Sequence, residues 1–264
     1  MPTQQQKADA FRALHERGTF VIPNPWDAGS ARVLEGIGFK ALATTSSGFA
    51  FTLGRVDGKA TLDEVIEHVR LVTGATQLPV SVDLENGYGP DPESAALATE
   101  SAAGAGAVGG SIEDCGPDHQ IYSLDHAVER VAAAVEAARG LSFPFMVTAR
   151  AENFIRGNPD LDDTIARLQA FERVGADVLY APGLGSRAEI ETVCEAVSRP
   201  VNVLARPGLS VAEIAAAGAR RISVGGALTW VAVDALVNAV ERIRDRGDFS
   251  ALEVPVKFKE WLGT

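Results

Sequence analysis

A chain of 264 residues, 46% hydrophobic and 22% charged, carries ample material for a core and excludes the disordered and collagen-like classes; its length fits one large α/β domain or two small ones. The 35 acidic residues against 24 basic ones give a formal charge of −11, which repels nucleic acid phosphates and anionic lipid surfaces, and no run of Lys or Arg offsets it. The two cysteines, Cys115 and Cys194, share no CxxC spacing, so neither a disulfide framework nor a structural zinc site is expected, and a reducing cytoplasm is the expected setting.

Residues 1–17 mix glutamines, charges and short apolar stretches without the basic start and apolar centre of a secretory signal, and read as an amphipathic helix. From there the chain alternates short apolar runs with longer segments whose apolar positions recur at helical spacing. The short runs cover 20–23, 41–45, 80–84, 107–113, 145–150, 178–181, 201–205 and 221–225, and the helical segments 28–37, 62–73, 92–103, 124–139, 161–174, 187–197, 211–217 and 228–244. Gly38, Gly74, Gly104, Gly140, Gly175 and Gly218 each follow a helical segment, where a left-handed residue would satisfy the last carbonyls. The apolar stretch 223–240 contains Asp234 and opens with Gly225 and Gly226, and reads as a strand turning into a buried helix, not a membrane span. The tail from residue 250, with Val254-Pro255-Val256 and Trp261, reads as an appendage that packs on a neighbour or a partner subunit. Eight such units and no linker predict one (β/α)8 barrel domain over 1–264, with an N-terminal helix and a C-terminal helical tail. The rival is an open doubly wound sheet, but Pro23-Asn24-Pro25-Trp26-Asp27 stands where its glycine-rich phosphate loop belongs.

Barrel enzymes place their chemistry at the carboxyl ends of the strands, so the polar residues that end these apolar runs matter most. They are Asn24, the run Thr44-Thr45-Ser46-Ser47-Gly48, Asp83 and Glu85, Glu113-Asp114, and Arg150 with Glu152, while Asn202 falls inside the seventh run. Asp83 and Glu85, two apart, share one face of their strand. Carboxylates crowded with Glu113 at one rim repel, which a raised pKa or a hard divalent cation relieves. With no His or Cys in the group the ligand set is all oxygen and favours Mg²⁺ or Mn²⁺, although helix capping or pairing with Arg150 would also account for the acids. Arg150 ends an apolar strand and needs an anion, either a substrate carboxylate or phosphoryl group or the acids Glu152 and Glu113. The segment 51–62, with Gly54-Arg55-Val56-Asp57-Gly58-Lys59, has the hinges and charges of a lid or of a solvated loop. The four histidines, His15, His68, His119 and His126, form no triad or metal site by spacing, and most read as surface residues; Cys115 reads as an inert thiol near the rim.

These residues resemble the isocitrate lyase and phosphoenolpyruvate mutase superfamily, in its shorter phosphoenolpyruvate-mutase-like (carboxyvinyl-carboxyphosphonate phosphorylmutase-like) branch. The resemblance spans almost the whole chain and is carried by Pro23-Asn24-Pro25-Trp26-Asp27-Ala28, Thr44-Thr45-Ser46-Ser47-Gly48-Phe49-Ala50, Leu53-Gly54-Arg55-Val56-Asp57-Gly58, Asp83-Leu84-Glu85-Asn86-Gly87-Tyr88-Gly89, Ser111-Ile112-Glu113-Asp114 and Thr148-Ala149-Arg150. It implies a barrel that exchanges its last helix with a neighbouring subunit in homodimers or homotetramers, and that binds Mg²⁺ and a 2-oxo acid or its enolate. Carried over residue by residue, Asp83 is the direct metal ligand, and Glu85, Glu113 and Asp57 hold metal-bound waters. Ser46, Ser47 and Gly48 surround the substrate carboxylate, Arg150 contacts its anionic oxygens, and Trp26 and Asn24 line the pocket.

Two departures bear on the reaction. The superfamily's isocitrate and methylisocitrate lyases carry a Lys-Lys-Cys-Gly-His signature after the fourth strand, where this chain reads Cys115-Gly116-Pro117-Asp118-His119-Gln120; the Lys- and Asn-containing segment of the mutases and phosphonopyruvate hydrolases is absent too. Glu85 stands where many members have Asp. The chemistry that needs least beyond an enolate sink is decarboxylation of an oxaloacetate-like acid, with Arg150 orienting the substrate and protonation by solvent or a lid residue near Asp57. A 2-methylisocitrate-like lyase, a phosphonopyruvate hydrolase or phosphomutase, and a metabolite-binding barrel without activity are the alternatives.

Overall fold

The computed structural model describes residues 2–253 and 260–261. Helix α1 (Gln4–Glu16) opens with a capping box in which Thr3 and Gln6 satisfy each other's backbone N–H groups. The strands then run β1 (Phe20–Ile22), β2 (Leu42–Ala43), β3 (Val80–Asp83), β4 (Gly109–Glu113), β5 (Met146–Arg150), β6 (Val178–Tyr180), β7 (Val201–Leu204) and β8 (Arg221–Ser223). The helices are α2 (Ala28–Ile37), α3 (Ser46–Thr52), α4 (Leu62–Ala75), α5 (Pro92–Gly104), α6 (Leu124–Arg139), α7 (Leu161–Arg173), α8 (Arg187–Ala196), α9 (Val211–Ala216) and α10 (Ala227–Arg246). All strand pairings are parallel, in the order β1-β8-β7-β6-β5-β4-β3-β2, and the Ala43 N–H donates to the Pro23 carbonyl at 3.1 Å to bring the two ends together. The result is a nearly closed (β/α)8 barrel.

The parallel strands are buried on both faces, which is why they read as unbroken apolar runs. Ala-rich faces of α5 and α6 pack closely against each other and against Val131, Phe145 and Val147 in the main core. A second cluster, built from Ala8, Phe11, Ile22, Val108, Met146 and Val178, lets α1 stopper the amino end of the barrel. Chemistry is thereby confined to the opposite, carboxyl rim.

Several expectations need correction. Of the six glycines, Gly38, Gly175 and Gly218 are left-handed, but α4 runs through Gly74, Gly104 is the last helical residue of α5, and Gly140 caps α6 with φ −73. The segment after β8 does form a helix, but not a buried one: Thr229 is the one buried residue of α10, and Trp230, Val231, Leu236, Val237 and Val240 are exposed. Residues 254–256 lie outside the described residues, and Trp261 sits against Gly36 of α2 in the same chain. No helix among the described residues is long and apolar enough to cross a membrane.

Two histidines are core residues. His15 stands edge-on between Phe11 and Phe20, and His68 stacks on Phe49 while its Nε2 meets the Trp26 carbonyl at 3.0 Å. The His15 Nδ1–H donates to the Phe11 carbonyl at 2.8 Å, and its Nε2 is buried without a partner. Burial, followed by the nearby Arg221 charge, lowers its pKa to about 3. The unfolded chain therefore takes up a proton below about pH 6.5 that the folded chain refuses, so stability falls with pH from there down to about 3. Between pH 7.5 and 5 this costs about 2 kcal/mol at ~1.4 kcal/mol per unit. Urea unfolding at the two pH values should show the native chain losing about 2 kcal/mol relative to His15→Leu, the variant cancelling the opposite contribution of the raised carboxyls; parallel curves for the two proteins would sink the assignment.

Candidate active site

At the carboxyl rim two cavities meet. The first, about 210 Å³, is lined by Asn24, Ser46, Ser47, Asp83, Arg150 and Asn202 among others; the second, about 480 Å³, is lined by Glu85, Tyr88, Glu113, His119 and Arg156, and Ser46 and Asp57 belong to both. Gly48 and Trp26 line neither. A Cβ on Gly48 would lie 2.6 Å from Thr229 Oγ1 and 2.9 Å from Trp26 Cβ, so both residues serve the close packing of α3 behind the wall.

Arg150 organises the site. Its Nη1 donates to Asp83 Oδ1 at 3.0 Å, its Nη2 lies 3.0 Å from Glu113 Oε1, and its Nε donates to Glu152 Oε1 at 2.9 Å, with Tyr180 beneath the guanidinium at 5.1 Å. Of the sequence's two readings of Arg150, pairing with Glu113 and Glu152 is observed, with Asp83 added, and the guanidinium also lines the first cavity. Asp83 accepts in addition from the Ser46 backbone N–H at 3.1 Å through Oδ2, and its own N–H donates to Thr44 Oγ1 at 2.9 Å. Thr45 caps α3 and thereby delivers Ser46 and Ser47 to the rim. A Cβ on Gly226 would fall 2.3 Å from Ser47 Oγ, so glycine there is what lets the start of α10 approach.

The turn after β3 is built to aim Glu85. Glu85, Gly87 and Tyr88 all have positive φ (47, 74 and 62), and the buried Arg130 bonds the carbonyls of Asn86, Gly89, Pro90 and Asp91 to hold them there. Tyr88 donates its hydroxyl to Glu85 Oε1 at 3.2 Å. Burial, then the Asp83, Asp57 and Glu113 charges, push Glu85 up to about 8. Loss of solvent around its carboxyl, then the Asp83 charge, raise Asp57 on its exposed loop. Burial raises Glu113 against the pull of Arg150. Three carboxyls, Asp57, Glu85 and Glu113, are thus raised around Asp83, which pairs with Arg150.

Asn202 is tied into the barrel interior, donating to Ser223 Oγ at 3.0 Å and accepting from Arg221. Asn24 clamps the barrel seam, accepting from the Val224 and Gly225 N–H groups at 2.9 Å and donating to the Thr44 carbonyl. The loop after β4 is a short closed turn with an isolated bridge between Cys115 and Ile121; Cys115 is buried beside Glu113, and burial raises its thiol pKa, which leaves it unreactive. Residues 51–62 are not one loop: Phe51 and Thr52 finish α3, and 56–60 wall the second cavity.

Two contributors, Arg156 and Tyr180, have no pattern to mark them, as each follows or ends an element whose signal is apolar. Two more are visible in the sequence without a catalytic role: Glu152 at the end of the fifth run, fully buried between Arg150 and Arg156, and Tyr88 within the 83–89 motif. Among the described residues one trio brings its ligand-type atoms within 4.8 Å, namely Glu113, Cys115 and Glu152. Asp83, Glu85 and Glu113 do not converge so tightly, because Arg150 stands between Asp83 and Glu113 and bonds both.

Comparison with known proteins gives a consistent result. The model of the phosphoenolpyruvate phosphomutase family matches residues 11–244. Among curated relatives, the oxaloacetate decarboxylase of Bradyrhizobium diazoefficiens is 32% identical over 73% of this chain and 71% of its own, and the 2-methylisocitrate lyase of Escherichia coli is 32% identical over 73% and 67%. Among solved structures, a protein of Burkholderia cenocepacia J2315 whose class is given only as lyase/mutase is 50% identical over 99% of this chain and 97% of its own, with a TM-score of 0.95.

Proposed function

The chain belongs to the phosphoenolpyruvate phosphomutase family, within the isocitrate lyase and phosphoenolpyruvate mutase superfamily, and is an enzyme of the lyase type; on that premise we propose that it is a Mg²⁺-dependent carbon–carbon lyase that decarboxylates oxaloacetate or a close 2-oxo dicarboxylate. The observation that carries this reading is the group of Asp57, Asp83, Glu85 and Glu113 facing Arg150 at the rim, with Cys115-Gly116-Pro117-Asp118-His119-Gln120 after β4 where the isocitrate and methylisocitrate lyases carry Lys-Lys-Cys-Gly-His.

That donor set fits a hard divalent cation: it is all oxygen, and burial, then the charges of its neighbours, raise the pKa of Asp57, Glu85 and Glu113. Asp83 would hold Mg²⁺ or Mn²⁺ directly, with Glu85, Glu113 and Asp57 around it through water, and the cation would supply positive charge to the oxygen of the developing enolate. The chain's own groups do the rest. Ser46 and Ser47 present hydroxyls to the substrate carboxylate, and Arg150 sets the orientation of its anionic oxygens. When the C3–C4 bond breaks, its electron pair remains on the enolate and CO₂ departs. Solvent admitted beside the exposed loop of Asp57, with Asp57 positioning the water, returns a proton to C3 to give the pyruvate-like product.

The first test is a thermal-shift titration with Mg²⁺, oxalate and both, oxalate being the stable mimic of the pyruvate enolate. A rise in melting temperature that needs both ligands, followed by Mg²⁺-dependent release of pyruvate and CO₂ from oxaloacetate, is the expected result. Joint binding without turnover of any 2-oxo acid would instead mark a metabolite-binding barrel, and no shift at saturation would sink the metal site.

The partner is a second copy of the chain. Helix α10, which follows β8, leaves Trp230, Val231, Leu236, Val237 and Val240 exposed, an apolar side that exchange of the helix with a second copy would cover. Light scattering should give a homodimer or homotetramer for the native chain and smaller species for Val231→Asp/Leu236→Asp; a native monomer would overturn this.

A further inference from the structure

Arg221 opens β8 with its side chain in the barrel interior, 5% exposed, and lines the first cavity below the rim. Its Nε donates to Asn202 Oδ1 at 2.8 Å and its Nη2 to Thr148 Oγ1 at 3.0 Å, while Nη1 is buried with no partner. No carboxylate among the described residues forms an ion pair with it. Arg150 meets three acids and Arg167 two; Arg130, like Arg221, pairs with no acid among the described residues and leaves one buried nitrogen, Nε, without a partner, but it directs its other donors at four carbonyls and lines neither cavity. An uncompensated guanidinium in a low-dielectric interior is costly, and burial accordingly lowers its pKa to about 10. The polar groups that line the cavity with it include Ser81, Ser111, Asn202 and Ser223, while the acids of the same cavity, Asp57 and Asp83, form no ion pair with Arg221.

We propose that Arg221, with Asn202 and Ser223, forms an anion subsite at the floor of the cavity that takes the second carboxylate of a short dicarboxylate whose first end sits at the Asp83 rim. The spacing supports a four-carbon chain. Arg221 bonds Thr148, which lies two residues below Arg150 on β5, so the floor is roughly 7 Å beneath the rim at ~3.3 Å per strand residue. Three C–C bonds of ~1.5 Å span ~4 Å between carboxylate carbons, and a terminal hydrogen bond adds ~3 Å. The subsite makes Arg221 the residue that selects dicarboxylates over 2-oxo monocarboxylates. The occupant of the rim rests on the 2-oxo acid reading above; the floor subsite does not, because it requires no metal.

The test uses the full chain in EDTA and succinate, an unreactive four-carbon dicarboxylate. Succinate should raise the melting temperature of the native chain by several degrees at saturation, and Arg221→Met should lose that shift while keeping the shift produced by Mg²⁺ with oxalate. Asn202→Asp provides a second arm that does not depend on the fold tolerating loss of the arginine: it places a carboxylate of the chain's own beside the guanidinium, so it should melt higher without ligand and no longer respond to succinate. An absent succinate shift in the native chain, or one that persists in either variant, overturns the subsite. Succinate binding without any Mg²⁺ and oxalate response would instead leave the floor subsite standing and remove the rim reading.

Discussion

Asp83→Ala is expected to lower Mg²⁺-dependent turnover by at least about 10³-fold, the rate equivalent of the several kcal/mol of charge stabilisation that a catalytic cation supplies. The position is chosen by geometry. Asp83 ends β3 at the junction where the Ser46 N–H and the Arg150 guanidinium meet, and after burial its charge is the next cause that raises both Asp57 and Glu85. The fold should survive, because Arg150 keeps Glu113 and Glu152 as partners and the β3 backbone is held by its pairing with β4. The readouts therefore separate. Calorimetric Mg²⁺ binding should vanish along with activity, while the melting temperature without metal stays within a few degrees of the native value. Full turnover with unchanged metal affinity would remove Asp83 from the metal site.

How much of this was written plainly in the sequence depends on which forces shaped each segment. The eight strands and the bounds of α2 and α6 follow from local pattern alone, since buried parallel strands and amphipathic helices have unmistakable periodicity. Helix α3 was invisible because Ser46-Ser47-Gly48 has poor helical propensity; it forms through the Thr45 cap and through tertiary packing of Phe49 on His68 and of Gly48 on Thr229. The rim acids and Arg150 were legible because a charged residue ending an apolar strand contradicts its surroundings. Arg221 carries the same contradiction at the start of a strand, but in a barrel that end is expected to be inert, and only the three-dimensional layering shows that its side chain reaches the cavity. Likewise the apolarity of the last helix was plain, while its exposure was not, because an apolar helical stretch reads alike whether its own chain buries it or leaves it exposed.

Arg150 should separate stability from chemistry. Burial works against its charge, yet Glu113, Glu152 and Asp83 together hold its pKa well above the ordinary arginine value. Arg150→Met leaves Glu113 and the fully buried Glu152 with Arg156 alone, and such an uncompensated buried charge costs about 3–5 kcal/mol, a large share of the ~5–15 kcal/mol that holds a domain folded. Arg150→Lys returns the positive charge, so most of that loss in urea unfolding should be recovered. Its ammonium is a single point, however, and cannot reproduce a fork that reaches acids on β3, β4 and the loop after β5 while facing a substrate oxygen. Turnover of the Lys variant should therefore remain about 10²–10³-fold below native, the usual cost of removing one preorganised donor from a developing negative charge. A Lys variant as active as the native chain would show that Arg150 acts only as a structural counter-charge, and the orientation of the substrate would have to come from another residue.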